Sequence, residues 1–304
     1  MASANPRIKA SPYLLLVLTA LFWSGNWVVA RALLSGDVTP FTMVFWRWAI
    51  ALAIILPFAY PHLCKQWGVI RSSWKILVLL GTLGTFFNTV FAYIGLQYTT
   101  ATNGAMLNSS IPILIILISW VFLGTRFSAA QWLGVFISLT GVLSIICRGD
   151  IHVFLNLTLN IGDIWVLISM VAWATYTVCL KWRPELHPYA FIAALMAVGV
   201  IAVTPLYLHE LWMNHGAMPT HLGSWIGLLY VGIFPAVIAY MFWNQAVEQV
   251  GPSRAGLFVH LMPVFGSILA IFFLGEALHS YHFYGIALIL SGIYLTNKQG
   301  AFVK

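Results

Sequence analysis

The chain has 304 residues, of which 61% are hydrophobic and 7% charged, and its mean hydropathy is +0.93. A soluble domain carries roughly 25% charged residues, so composition excludes one and marks an integral membrane protein. The formal charge of +7 is not accompanied by the polar, stacking surface that nucleic-acid binding requires, and membrane topology must account for it.

Apolar stretches near the roughly 20 residues that cross a hydrocarbon core fall first at 13–34, 40–60, 74–97, 101–123 and 128–147. Five more follow at 162–181, 187–208, 224–247, 253–274 and 280–297. The expected fold is all-α, with ten transmembrane helices in two inverted five-helix repeats. Its parts are a cytoplasmic segment 1–12, a first repeat 13–147, an outer loop 148–161, a second repeat 162–297 and a cytoplasmic tail 298–304. A closed β-barrel would need alternating apolar and polar residues instead.

The second half echoes the first at an offset of 150 to 151 residues. The run from Leu18 to Trp23 resembles that from Ile168 to Trp173, Val28 meets Val178, and Arg31 meets Lys181. Further on, Pro112 meets Pro263, Leu123-Gly124 meets Leu274-Gly275, Gly134 meets Gly285 and Gly141 meets Gly292. With an odd number of spans in each half, the second half enters the bilayer from the opposite side, an arrangement that builds alternating-access carriers.

Basic loops stay cytoplasmic. With the N-terminus inside, eleven Lys and Arg residues lie on inner segments and two, Arg31 and Arg148, on outer ones, while Arg47 is left inside a span. The first span, preceded by Arg7 and Lys9, has the outline of a signal peptide, but its internal counterpart argues that it is retained. Cys64, Cys147 and Cys179 fall on different segments, and no disulfide is implied.

Several short motifs stand in order along the chain. They are Leu21-Phe22-Trp23-Ser24-Gly25-Asn26, Phe45-Trp46-Arg47, Ile111-Pro112, Met262-Pro263, and Leu274-Gly275-Glu276 before a Gly-rich last helix. Together they make the chain resemble the EamA-type permeases of the drug/metabolite transporter superfamily, over nearly its whole length. One departure is Thr125 where the second repeat has Glu276. The resemblance implies a carrier of small organic solutes in an inner (plasma) membrane, with the first four helices of each half around a central cavity and the fifth outside them.

Polar side chains inside hydrocarbon are costly, so they bind helices together or face the solute path. Arg47, seven residues into the second span, could receive a substrate carboxylate through its guanidinium, or could snorkel or hydrogen-bond within the bundle. Trp23 and Trp173, repeat equivalents, could form two walls of one cavity suited to flat or cationic solutes, or pack in the core. The seven acids, Asp37, Asp150, Asp163, Glu185, Glu210, Glu248 and Glu276, fall at loops or helix ends, so a proton relay would rest on His260, unless that is a packing histidine. Asn26, Asn88, Asn108, Ser109, Tyr176 and Asn244 complete the candidate binding residues. Gly81, Gly84, Asn88, Ala92 and Gly95 form a small-residue stripe on the third span, which favours close helix packing.

His209, His215, His221 and Glu210 crowd the connection after the seventh span, but their spacing matches no metal motif. No cofactor or metal is expected, and no HExxH, Walker or Rossmann pattern is present. An intramembrane hydrolase could set Ser109 or Ser110 beside His260, yet there is no nucleophile elbow. The reading is therefore a secondary transporter and not an enzyme. It would export amino acids or related amphipathic solutes, with organic-cation efflux or sugar-phosphate exchange as alternatives. Its partners would be the small-molecule solute and the bilayer, and a homodimer remains open.

Overall fold

The computed structural model describes residues 8–99, 101–156, 158, 160–213, 218–274 and 277–298. All regular elements among them are helical. Eight helices are long and apolar enough to cross a membrane: α1 (Pro12–Leu34), α2 (Pro40–Lys65), α3 (Trp74–Tyr98), α4 (Asn103–Leu123), α5 (Ala129–Ile146), α6 (Ile161–Trp182), α7 (Pro188–Met213) and α8 (Leu222–Val250). The chain continues through α9, residues 252–274, and α10 (Ser280–Lys298). Short helices Trp67–Ser72 and Ile151–Leu155 interrupt the connections after α2 and α5.

Local chemistry sets the starts of these helices. Pro12 and Pro40 occupy the first turns of α1 and α2, where a missing amide hydrogen costs nothing and the fixed φ already suits a helix. Ser128 with Gln131, and Asn160 with Asp163, close capping boxes on α5 and α6, so amides that would be orphaned are satisfied. Two acids cap helices from a distance. Glu210 accepts from the amide of Thr42 at 3.0 Å and the hydroxyl of Thr39 at 2.5 Å at the start of α2. Asp37 accepts from the Thr220 amide at 2.7 Å and the Ser224 hydroxyl at 2.5 Å at the start of α8.

These contacts correct one expectation. The seventh span runs to Met213, not 208, so His209 and Glu210 are helical and not part of a crowded loop; His215, like Glu276, lies outside the described residues. Asp163 does stand at a helix end, but it is only 4% exposed. It accepts from the Thr99 hydroxyl and from the Asn103 amide at 3.2 Å.

The two halves share their irregularities as well as their helices. A π-helical turn spans Thr82–Phe87 in α3 and Gly232–Ile238 in α8, an offset of 150 between their first residues. α4 turns at Ser109 and Ser110 before resuming at Ile111, and α9 tightens to a 3₁₀ turn at Phe258–His260 before resuming at Leu261. Proline is the cause in this second pair. Having no amide hydrogen, Pro112 and Pro263 cannot pair with the carbonyls four residues earlier, those of Asn108 and Val259. Both residues border the central cavity described below.

Helix pairing follows the same relation. α1 packs on α8 as α6 packs on α3, α1 on α9 as α6 on α4, while α2 pairs with α7 and α5 with α10. The pairs that join repeat equivalents are antiparallel. In α2 and α7, Phe45 stacks on Tyr207 at 4.2 Å and His62 on His187 at 3.5 Å. In α5 and α10, a Cβ on Gly134 would meet the Gly292 carbonyl at 2.8 Å, and one on Gly141 the Gly285 carbonyl at 2.6 Å. Four glycines, equivalent in sequence two by two, thus bring these backbones closer than any side chain would allow. The small-residue stripe of α3 behaves likewise at its ends, Gly81 against Val198 of α7 and Gly95 against Gly162 of α6.

Candidate functional site

Where α1, α2, α3, α4, α6, α8 and α9 converge, they leave a central cavity of about 80 Å³. α1 contributes Trp23, Asn26 and Trp27; α2 contributes Arg47; α3 contributes Asn88, Thr89, Ala92 and Tyr93. Asn108 and Ile111 of α4, Met170 and Trp173 of α6, Tyr240 of α8, and Val259 and Met262 of α9 close it. The middle of the α3 stripe, Asn88 and Ala92, opens to this space while its glycine ends pack.

Arg47 is 3% exposed. Its Nη1 donates to Asn26 Oδ1 at 2.7 Å and to the Tyr93 hydroxyl at 2.6 Å, and its guanidinium lies 5.1 Å from the centre of the Trp48 ring. It is enclosed by protein, and a snorkelling arginine would be exposed. Among the described residues its Nε has no hydrogen-bond partner, and no Asp or Glu lines the cavity. Buried cations in proteins are ordinarily paired; among the described residues this one is held by neutral groups alone. The cavity is therefore electropositive and keeps an unspent donor on its cation.

The paired tryptophans meet, but not as opposite walls. Trp23 and Trp173 are in edge-to-face contact, ring centres 5.0 Å apart, which leaves no gap for a solute between them. Trp243 lies 5.1 Å from Trp23, and Tyr240 lies 5.4 Å from Trp173. The Trp23 indole donates to the Pro235 carbonyl at 3.2 Å, inside the π-helical turn of α8. These rings form a single aromatic floor.

Six of the ten expected residues thus share one cavity: Trp23, Asn26, Arg47, Asn88, Asn108 and Trp173. Tyr176 and Asn244 lie behind the aromatic floor, the Tyr176 hydroxyl donating to Asn244 Oδ1 at 2.7 Å. Ser109 faces a lateral cavity with Asn103 and Ser110. His260 is fully buried and both ring nitrogens are engaged, Nδ1 with the Ser138 hydroxyl at 2.7 Å and Nε2 with the Ser109 carbonyl at 3.0 Å. It joins α9 to α5 and α4, and its hydroxyl neighbour is Ser138, not Ser109 or Ser110. Tyr93 and Tyr240 were not foreseen. For Tyr93 a signal existed, since its equivalent at offset 150 is Trp243, a second aromatic.

A multi-pass helical bundle in two matching halves around a buried polar cavity is the architecture of a membrane carrier. The chain belongs to the EamA-like transporter family, whose model matches residues 10–147 and again 160–298. It is 29% identical over 300 residues to an "Uncharacterized transporter" of Archaeoglobus fulgidus, covering 96% of this chain and 99% of that one. It is 26% identical to the "Uncharacterized transporter YyaM" of Bacillus subtilis, covering 92% of each. To the "WAT1-related protein At5g07050" of Arabidopsis thaliana it is 25% identical, covering 96% of this chain and 81% of that one. A crystal structure sharing 19% sequence identity superposes with a TM-score of 0.74 over 94% of this chain and 96% of that one, a likeness of fold.

Proposed function

We propose that this transporter is a secondary carrier exporting amino acids or related amphipathic solutes across an inner membrane. It would do so by rocking two inverted five-helix halves about the central cavity. α9 and α10 complete ten spans, and both termini face the cytoplasm. The antiparallel pairing of repeat equivalents and the basic inner segments support that topology.

The observation that carries the solute class is Arg47, a buried cation with no acidic partner among the described residues and a free Nε, hydrogen-bonded to Asn26 and sharing its cavity with Asn88 and Asn108. A carboxylate would supply the missing counter-charge through a charge-assisted pair of hydrogen bonds. An organic cation would meet like charge there, and a phosphate dianion would lack a second cation. The cavity, about 80 Å³, is smaller than the roughly 300–1,000 Å³ of ordinary ligand sites. In this reading the site widens to admit the solute, and the aromatic floor is the part that would separate. With both nitrogens of His260 committed to packing, exchange or downhill flux fits better than a histidine proton relay.

The test is counterflow of a radiolabelled amino-acid panel into liposomes containing the purified protein, with and without a pH gradient. Exchange of one member unaffected by the gradient is expected. Absence of flux across the panel, with organic cations carried instead, would overturn the solute class.

A further inference from the structure

Beyond the aromatic floor lies a second, larger cavity of about 480 Å³, bounded by the ends of α4, α6 and α8 and the start of α9. Its charged lining is balanced, with Lys181 and Arg183 against Glu185 and Glu248. Arg183 Nη2 and Glu248 Oε2 form an ion pair of 2.5 Å, and both groups are partly exposed. Arg183 Nη1 also lies 3.4 Å from the Asn244 carbonyl.

Asn244 stands between the two cavities. It is 4% exposed, its Oδ1 receives the Tyr176 hydroxyl, and its Nδ2 is buried without a hydrogen-bond partner. The Tyr176 ring in turn lies 5.1 Å from Trp173 of the central site. An unsatisfied buried donor is costly, and here it borders a roomy vestibule with charged groups in its lining. The Thr125 hydroxyl, also buried without a partner, borders the same vestibule.

We propose that this vestibule is a staging site for the zwitterionic head group of the transported solute. Arg183 and Asn244 would receive the carboxylate, and Glu248 and Glu185 the ammonium. The proposal rests on the amino-acid reading above for its solute. Physically, a lone anion or cation could engage only one member of the Arg183–Glu248 pair. A zwitterion replaces both members at once, and the solute's own charges take over the pairing. From there Tyr176 and Asn244, hydrogen-bonded to each other, are the last polar contact before the aromatic floor and Arg47.

The test uses the full chain in nanodiscs, with Cys64→Ser and Leu123→Cys placing one reactive thiol in the vestibule, since Cys147 and Cys179 are buried. The rate of modification by a charged methanethiosulfonate is followed in the presence of the amino acid that shows counterflow, its methyl ester and its N-acetyl derivative. The zwitterion should slow the reaction by about tenfold, the scale of one charge-assisted hydrogen bond, and the singly charged derivatives should not. Protection should persist in Arg47→Gln and disappear in Asn244→Leu and Arg183→Gln. Equal protection by the ester, or loss of protection in Arg47→Gln, would overturn the staging site, as would counterflow with no protection. If no amino acid shows counterflow, the functional reading fails first, and that result is visible before any variant is made. The comparison of zwitterion with ester needs no change at Asn244 or Arg183, so it holds even if those variants fail to fold.

Discussion

Two side chains concentrate the argument at the scale of single residues. Among the described residues Arg47 is a cation held only by neutral partners, and a buried charge without a counter-charge subtracts from stability. Replacing it by Gln should therefore lower solute affinity by about 10- to 100-fold, the loss of one charge-assisted hydrogen bond of about 1.5–3 kcal/mol, while thermal stability stays level or rises. A melting temperature that falls together with activity would make Arg47 a structural residue. At His187, burial, reinforced by the His62 ring stacked against it, pushes the imidazole below its ordinary value. The sign follows from linkage. The neutral stack contributes fully above about pH 6.5, the ordinary histidine value. As pH falls below that, the unfolded chain takes up a proton that the folded chain resists, and stability is lost down through the folded pKa. Melting curves between pH 7.5 and 5.5 should show a larger drop for the native chain than for His187→Gln.

At the scale of elements, the glycine crossing of α5 with α10 is a close approach of two backbones. Gly141→Leu would drive a side chain into the Gly285 carbonyl and Ile289, an overpacking that costs about 1–3 kcal/mol and should appear as a lower melting temperature. The same substitution at Gly223, which has open space around it, should be nearly silent. A second element-level contact is the Asp37 clasp on the start of α8. Hydrogen bonds from the Ser224 hydroxyl and the Thr220 amide hold its carboxyl well below the usual carboxylate range. With the folded value depressed, its contribution is present above the ordinary carboxylate pKa and is lost only as pH falls through the depressed one. Hydrogen exchange at residues 220–224 should therefore stay slow from pH 7 to about 4, near the ordinary Asp value, and Asp37→Asn should raise it throughout that range.

At the scale of the whole molecule, the expected orientation has a direct reporter. Cys64 is exposed at the end of α2, whereas the other two cysteines are buried. An impermeant thiol reagent should label Cys64 in inside-out vesicles and not in intact cells; the reverse pattern would invert the topology. The sequence by itself carried the membrane class, the duplicated halves and the family, because apolar run length, basic-residue placement and a fixed repeat offset are one-dimensional quantities. It also singled out Arg47, Asn26, Asn88, Asn108 and the Trp23 and Trp173 pair, since a polar or repeated aromatic residue in an apolar run is conspicuous without coordinates. Packing decided what each was near. Only the tertiary structure showed that the tryptophans touch and do not flank a gap, and that His260 is spent on Ser138 and the Ser109 carbonyl. The same holds for Tyr93 meeting Arg47, for Tyr240 lining the same cavity and for Glu210 belonging to a helix that caps α2. These facts depend on which faces of separate helices meet. That is fixed by glycine contacts, proline breaks and π-helical turns acting across the whole bundle, and a single helix's residue pattern does not contain it.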